Sequence, residues 1–573
     1  MSMNIPTPLP PPARQPRSGR GLNSFPFRLT PLQPVCGFAG IAVCLLGFLL
    51  SGVQTAPAES RVATTNFLTA NQLQEKIKGG WAGQTIGVVY GAPVEFKYQG
   101  SIIPDYQNIP WREGYVKYWW DKKPGLFDDI YTDLNFVEVF EKYGLAVPMA
   151  TIARHWAATP YHLAHANQAS RYNILNGMMP PQSGYWKNNP HADDLDFQIE
   201  ADFIGLMTPG IVNSATEVAN RVGHIMTSGD GWYGGVYVSA LYAQAFISSN
   251  VEEIVRQAIK TIPTGTQFHD CIQDVIQWHQ QYPDNWQTTW FELEKKWNHD
   301  VGCPKGVFLS FNIDAKVNSA YVTIGLLYGR GDFTRSINIA TRCGQDADCN
   351  PATVGGVLGV MLGYSNIPVF WLKPLQEIEP LTFEGTTLSL SKAYALSYKH
   401  ALQMIKLAGG SVAGDKIALP AAAIVPVALE QNFEKTFPTF RDRYDRSFTD
   451  ELSYDFVGNG YVFYGNLVKT SKIDKNYIDR VSKRVGSEVF GLAEPDDPYV
   501  AELAVYIDGK LDEHVKLPMK NTSRRLEPAW KYQLPEGKHD VRLKWLNPNP
   551  EYEIRINDIM IYSEKPAAGN LPN

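Results

Sequence analysis

The sequence predicts two folded parts in series, an all-α helical bundle and then a β-sandwich, behind an N-terminal extension. Three observations carry this. From about residue 66 to 405 apolar residues recur at helical spacing, without the alternating rhythm of βαβ units. Beyond about Asn432 the apolar period falls to two. Residues 1–60 lack both patterns.

The extension comes first. Residues 1–34 are rich in proline and carry Arg14, Arg17, Arg20 and Arg28 without an acidic residue. An uncharged apolar run follows from Val35 to Val53, and then the small residues Thr55, Ala56 and Ala58. A positive flank, an apolar middle and a small-residue exit are the layout of an export signal, and the run also borders on the length of a membrane anchor. Export to the periplasm or outside the cell is the expectation, with membrane contact only if residues 35–53 are retained.

In the bundle, Leu73, Ile77 and Trp81 share a helical face, and Gly83 and Gly87 suggest closely packed helices. Helical spacing returns in residues 134–144, 215–226, 236–246 and 251–262, and residues 320–327 and 353–362 read as buried helices. Residues 406–431, rich in glycine, alanine and proline, read as a linker. Residues 432–566 alternate in strands broken by turns such as Asp508-Gly509, with Val541, Leu543 and Trp545 on one face and Arg542 and Lys544 on the other. This size fits a β-sandwich.

The 573 residues are 44% hydrophobic and 12% aromatic, enough for a large core. A net charge of -6 offers no basic surplus, so nucleic acid is not an expected partner. Cys271, Cys303, Cys343 and Cys349 lie beyond the extension without a CxxC pair, which argues against a structural zinc site. A Cys271–Cys303 disulfide is permitted in an oxidising compartment.

Three acidic clusters carry the chemistry. Asp128-Asp129 is followed by Asp133, which shares a helical face with Asp129 if a helix begins there. Asp346-x-Asp348 sits between a glycine and a proline, as in a loop feeding a helix. Two such pairs can converge on hard cations and hold two Mg²⁺ ions. The third cluster holds Asp193, Asp194, Asp196, Glu200 and Asp202. Against these readings, an isolated Asp pair often only caps a helix, and the third cluster can be a solvated face. An EF-hand is excluded because its glycine and glutamate are missing at the required offsets.

Residues 79–96, GGWAGQTIGVVYGAPVEF, resemble the N-terminal signature of the ADP-ribosylglycohydrolases. Asp128-Asp129 falls at that family's first metal motif, and residues 344–363 are similar to its late Gly-x-Asp-x-Asp segment and small-residue helix. More loosely, residues 228–235 resemble its glycine-rich substrate loop. The resemblance implies an orthogonal all-α bundle and Asp128, Asp129, Asp346 and Asp348 as ligands of Mg²⁺ or Mn²⁺. It also implies a catalytic or gating role for Glu95, and a substrate pocket lined by Asp230, Trp232 and Tyr233. Phe127 and Cys349 stand where the family usually has threonines, so Asp133, Cys349 or Asn350 are candidates to complete the metal shell. The C-terminal strands resemble galactose-binding-type modules, which implies carbohydrate as a second partner.

Such a site would hydrolyse an ADP-ribosyl, ribosyl or related glycosidic bond, with Glu95 as acid/base, Glu200 or Asp202 in reserve, and Arg342 and Lys316 as phosphate-binding candidates. Two other classes stand beside it: a secreted carbohydrate-binding protein with a degenerate bundle, and an exported scaffold or adhesion protein. Crowded like charges without cations are costly, which favours the enzyme.

Overall fold

The computed structural model describes residues 66–470 and 497–567, so the expectations for residues 1–60 lie outside the described residues. A helical part is followed by antiparallel sheets. Among the described residues no helix is long and apolar enough to cross a membrane.

The organising contact is between two helices, Ala70–Gly91 and Cys349–Leu362. The first begins in a capping box: Gln72 N donates to Thr69 Oγ1 (3.0 Å), and Thr69 N donates to Gln72 Oε1 (2.8 Å). Its glycines then recur every fourth residue along one stripe. Gly79 lies on Gly359, Gly83 on Gly355, Gly87 on Pro351 and Gly91 on Ala347, so the helices run antiparallel with backbone against backbone. A Cβ at Gly83 would sit inside the envelope of the Gly355 carbonyl oxygen. The geometry has a functional consequence. It brings the end of the first helix, and Glu95 just beyond it, to the start of the second, where Asp346 and Asp348 lie.

Helices Gly229–Ala245 and Ala315–Gly329 are almost wholly buried and complete the centre of the bundle. Glu294, on the helix Trp286–Trp297, accepts from the Tyr321 hydroxyl and from Asn298 Nδ2. Burial pushes its carboxyl up from 4.5 to about 7, against the pull of those two donors. A raised folded pKa gives stability that is full below the unfolded value and lost as pH rises through about 7. Glu294→Gln should therefore melt higher than wild type above neutral pH, by up to about 3 kcal/mol, and lose that advantage near pH ~4. Thermal melts across this range check it.

The connector is more ordered than a plain linker. Ser411–Ala413 and Lys416–Leu419 form a three-stranded sheet with Asn66–Thr69, in register from Asn66 opposite Leu419 to Thr69 opposite Lys416. Farther on, the Tyr233 hydroxyl donates to Ala428 O (3.1 Å), and Asn432 Nδ2 donates to Asp193 Oδ1 (2.6 Å), which holds the chain against the bundle.

The C-terminal strands form two sheets. One is ordered Ala529–Lys531, Gly460–Lys469, Tyr552–Ser563, Phe437–Asp442, with Arg446–Phe448 also paired to Tyr552–Ser563. The other is ordered Glu451–Gly458, Gly537–Trp545, Val500–Ile507, Lys510–Pro518. Val541, Leu543 and Trp545 are buried between them, as the alternation predicts. Asp508 and Gly509 turn the hairpin between Val500–Ile507 and Lys510–Pro518, both at positive φ (50° and 74°), which is why Asp-Gly serves there. The sheets pack on the bundle through Trp186, Phe433, Tyr532 and Met560.

Cys271, Cys303, Cys343 and Cys349 are buried free thiols, and no Cys271–Cys303 bridge forms. Cys271 sits on the helix Gln267–Gln281, its Sγ 3.7 Å from Lys316 O, whereas Cys303 Sγ lies 4.0 Å from His165 Nδ1.

Candidate metal centre

Three segments converge on one acidic site. The turn Pro124–Phe127 leads into the helix Asp128–Tyr143, so Asp128 and Asp129 occupy its first turn, where the helix dipole favours negative charge. Asp346 and Asp348 occupy the loop ahead of the helix Cys349–Leu362. Glu95 comes from the turn after the first helix. Two backbone hydrogen bonds fix that turn beside the loop: Phe96 N to Gln345 O and Gln345 N to Tyr98 O, each 2.9 Å. Phe96 (φ 48°), Gln345 (φ 54°) and Gly344 (φ 83°) are all left-handed. For the two side-chain-bearing residues that is a strained conformation, the kind that persists where surrounding structure enforces it.

The electrostatics are those of crowded carboxylates. Loss of hydration, then the charges of Glu95 and Asp346, push Asp128 up to about 7 against the opposing pull of Lys123. Burial raises Asp346 to about 6, and holds Asp129 and Asp348 well above the usual carboxylate range. Carboxylate oxygens of Asp346 and Asp348 and the Cys349 sulfur lie within 4.8 Å of one another. Asp129 Oδ1 is buried without a partner. The nearby cation is Lys123, whose Nζ lies 3.1 Å from Glu95 Oε2. Burial lowers the lysine's pKa, but the pull of Glu95 and Asp348 outweighs this and leaves it raised. One ammonium does not balance five carboxylates. Four crowded carboxylates with excess negative charge, at Asp128, Asp129, Asp346 and Asp348, fit a hard divalent cation, with the Cys349 sulfur beside them.

The other candidates fall in different places. Asp133 is on the same helix, but its Oδ2 accepts from Gln84 Nε2 (3.1 Å) and Phe203 N (3.3 Å), and its charged neighbour is Asp202. The Asn350 amide is engaged by Asn318 (2.9 Å) and Gln198 (3.4 Å). Cys349 Sγ lies 3.8 Å from Asp348 Oδ1, beside the acids. Phe127 supplies no oxygen, and its ring packs between Trp120 and Phe383. Asp230 faces Lys316 (3.7 Å), and its N–H donates to Asp193 Oδ1 (3.1 Å). Trp232 is buried against His224, and Tyr233 is turned toward the connector. These three contact the 193, 316 and 428–432 region, not the carboxylates at 128–129 and 346–348. Arg342 donates to Pro104 O (2.6 Å) and Gln107 O (3.2 Å), and Lys316 is paired with Asp314. The third acidic cluster is not a solvated face: Asp194, Asp196, Glu200 and Asp202 are buried. Burial, then the charge of Asp196, raises Glu200 well above the usual carboxylate range, with smaller pushes from Asp133 and Asp128, and its Oε1 accepts from Asn167 Nδ2.

Lys123 is the residue that sequence reasoning missed. The signal available was a lysine just before the Pro-Gly turn that feeds the acid pair.

Residues 69–401 match the family model for ADP-ribosylglycohydrolase. No curated protein matches the chain. A solved structure described as an ADP-ribosylglycohydrolase-related protein complex is similar at a TM-score of 0.40 and 15% identity, over 58% of this chain and 99% of that one. The family match spans more than half of the sequence, and the chain belongs to the ADP-ribosylglycohydrolase family.

Proposed function

We propose that the protein is an exported, metal-dependent glycohydrolase that cleaves an ADP-ribosyl, ribosyl or related glycosidic bond. One observation carries the reading: Asp128, Asp129, Asp346, Asp348 and Glu95, from three segments, share one site with Lys123 as the nearby cation. Asp128, Asp129, Asp346 and Asp348 would hold Mg²⁺ or Mn²⁺, as one ion or two, which would supply positive charge against the vicinal hydroxyls of the sugar. Glu95 is partly exposed, its turn held beside the Asp346 loop by the Phe96–Gln345 hydrogen bond, and it takes the proton of the attacking water. Water oxygen bonds to the anomeric carbon as the glycosidic bond breaks, and Glu95 passes the proton it took from the water to the leaving-group oxygen. The remaining carboxylates stabilise the oxocarbenium-like transition state through their charge. Export rests on the apolar run at 35–53, and carbohydrate binding by the sandwich on its resemblance to galactose-binding modules.

Metal-stripped protein should bind Mg²⁺ or Mn²⁺ saturably and then hydrolyse an ADP-ribosyl or furanosyl glycoside. Glu95→Gln should keep the metal and lose about 10²–10⁴-fold in kcat, the range of a general acid/base contribution. Calorimetry and turnover on the same samples read both quantities. Folded wild type that binds no divalent ion would sink the mechanism. Sugar binding without turnover would favour a non-catalytic carbohydrate binder.

A further inference from the structure

A second group of metal-ligating side chains lies apart from the acidic site, where the bundle meets the sandwich. It contains His165, His191, Asp194 and Cys303, with one donor atom of each within 4.8 Å of the others. His165 opens the helix His165–Leu175, His191 and Asp194 belong to one turn, and Cys303 comes from the loop after the helix Trp286–Trp297. His165 Nδ1 is 3.6 Å from Asp194 Oδ2 and 4.0 Å from Cys303 Sγ. Ligands around a tetrahedral zinc ion lie about 3.3–3.6 Å apart, given Zn–N and Zn–O near ~2.0–2.2 Å and Zn–S near ~2.3 Å. A contraction of a few tenths of an ångström closes these two gaps, while His191 Nδ1 and Asp194 Oδ2, now 2.8 Å apart, would part by about half an ångström as the ion replaces the proton between them.

Three further features point to a ligand. His191 Nδ1 is on the cluster side, 2.8 Å from Asp194 Oδ2, while Nε2 lies 2.9 Å from Glu527 Oε1 of the sandwich. With Nδ1 as the ligand atom, Nε2–H donates to Glu527, the carboxylate–histidine–metal arrangement that orients ligating imidazoles. Asp300 accepts the Cys303 N–H at Oδ1 (2.9 Å) and leaves Oδ2 buried without a partner, adding negative charge beside the thiol. His165 is held at φ 47°, a conformation seldom kept by a non-glycine residue unless its surroundings require it.

We propose that His165, His191, Asp194 and Cys303 bind one zinc ion in a closed, structural site that fastens the sandwich to the bundle through Glu527. Imidazole and thiolate select zinc over magnesium, and four protein ligands leave no open position for catalysis. The two centres thus differ in chemistry: all-carboxylate and hard at 128–129 and 346–348, mixed nitrogen, sulfur and oxygen here. The ligands come from three separated segments, so no CxxC spacing announces them. His165 and His191 also line a cleft with Lys305, Arg524 and Trp530.

Cobalt reports the site directly. The full chain, stripped by chelator and reloaded with Co²⁺, should show the tetrahedral d–d bands and thiolate-to-cobalt charge-transfer band of one ion, beside any cobalt that the carboxylates of the acidic site take up without such bands. Cys303→Ala should lose the charge-transfer band, and Cys349→Ala should keep it, which separates this site from the acidic one. Zinc should raise the melting temperature of the stripped wild type, and Glu527→Gln should weaken zinc binding about 10–100-fold. If Cys303→Ala does not fold, His165→Asn, at the most exposed of the four ligands, replaces it and should lose the tetrahedral bands. Folded wild type without thiolate-bound cobalt, a band that survives Cys303→Ala, or one that vanishes in Cys349→Ala would each overturn the proposal.

Discussion

Asp346→Asn/Asp348→Asn is expected to abolish divalent-metal binding at the acidic site and, with it, turnover, while raising the melting temperature of the metal-free protein. Both effects have one cause. Burial and mutual repulsion strain the ionised carboxylates at 128, 129, 346 and 348, raising each above the ordinary carboxylate range. A cation relieves that strain when it binds, and two neutral amides relieve it permanently while removing two anionic ligands. Loss of two direct ligands should exceed the roughly 10–100-fold cost of disturbing an outer-shell partner. Calorimetric titration with Mg²⁺ and melts with and without the ion measure the two effects together. A variant that binds metal as the wild type does would place the cation elsewhere. A variant less stable than metal-free wild type would show that the carboxylates hold the loop together rather than straining it.

Gly83→Val should do the opposite kind of damage, preventing soluble expression or lowering the melting temperature in every metal condition. The Gly83 Cα faces the Gly355 backbone, so the intruding atoms meet a carbonyl group rather than a side chain that can swing aside. Overpacking commonly costs about 1–3 kcal/mol where neighbours can shift, and here only the helix axes can. Total stability is of order 5–15 kcal/mol for a domain, so the change is a large share of it. Separating these helices would also pull Glu95 away from Asp346 and Asp348, because the same contact sets both distances. Gly537→Ala, at a glycine with open space around its Cβ position and ordinary φ, is the control and should melt like wild type. Equal melting of the two variants would mean that the glycine stripe is not what sets the helix spacing.

The sequence alone was enough for the two-part architecture. Gly79, Gly83, Gly87 and Gly91 announce a helix that must approach another backbone, and the small residues at 352–359 offer the matching surface. Both are local regularities of period near four. The alternation of Val541, Leu543 and Trp545 and the Asp508-Gly509 turn fix strand face and hairpin in the same local way. Motif order also brought the acid pairs at 128–129 and 346–348 into one reading, although more than two hundred residues separate them.

Tertiary structure decided what each polar residue faces. Asp133 shares a helical face with Asp129, as periodicity requires, yet one turn of rise carries it to Gln84, Phe203 and Asp202. Trp232 and Tyr233 follow a glycine-rich loop but turn inward to His224 and the connector. Lys123 becomes a counter-charge because the Pro124–Phe127 turn folds it back toward Glu95. His165, His191, Asp194 and Cys303 meet through three segments with no common spacing. A side chain's charge environment in a buried site is a sum over neighbours from distant parts of the chain. Sequence periodicity fixes only the direction in which each side chain leaves its own helix or strand.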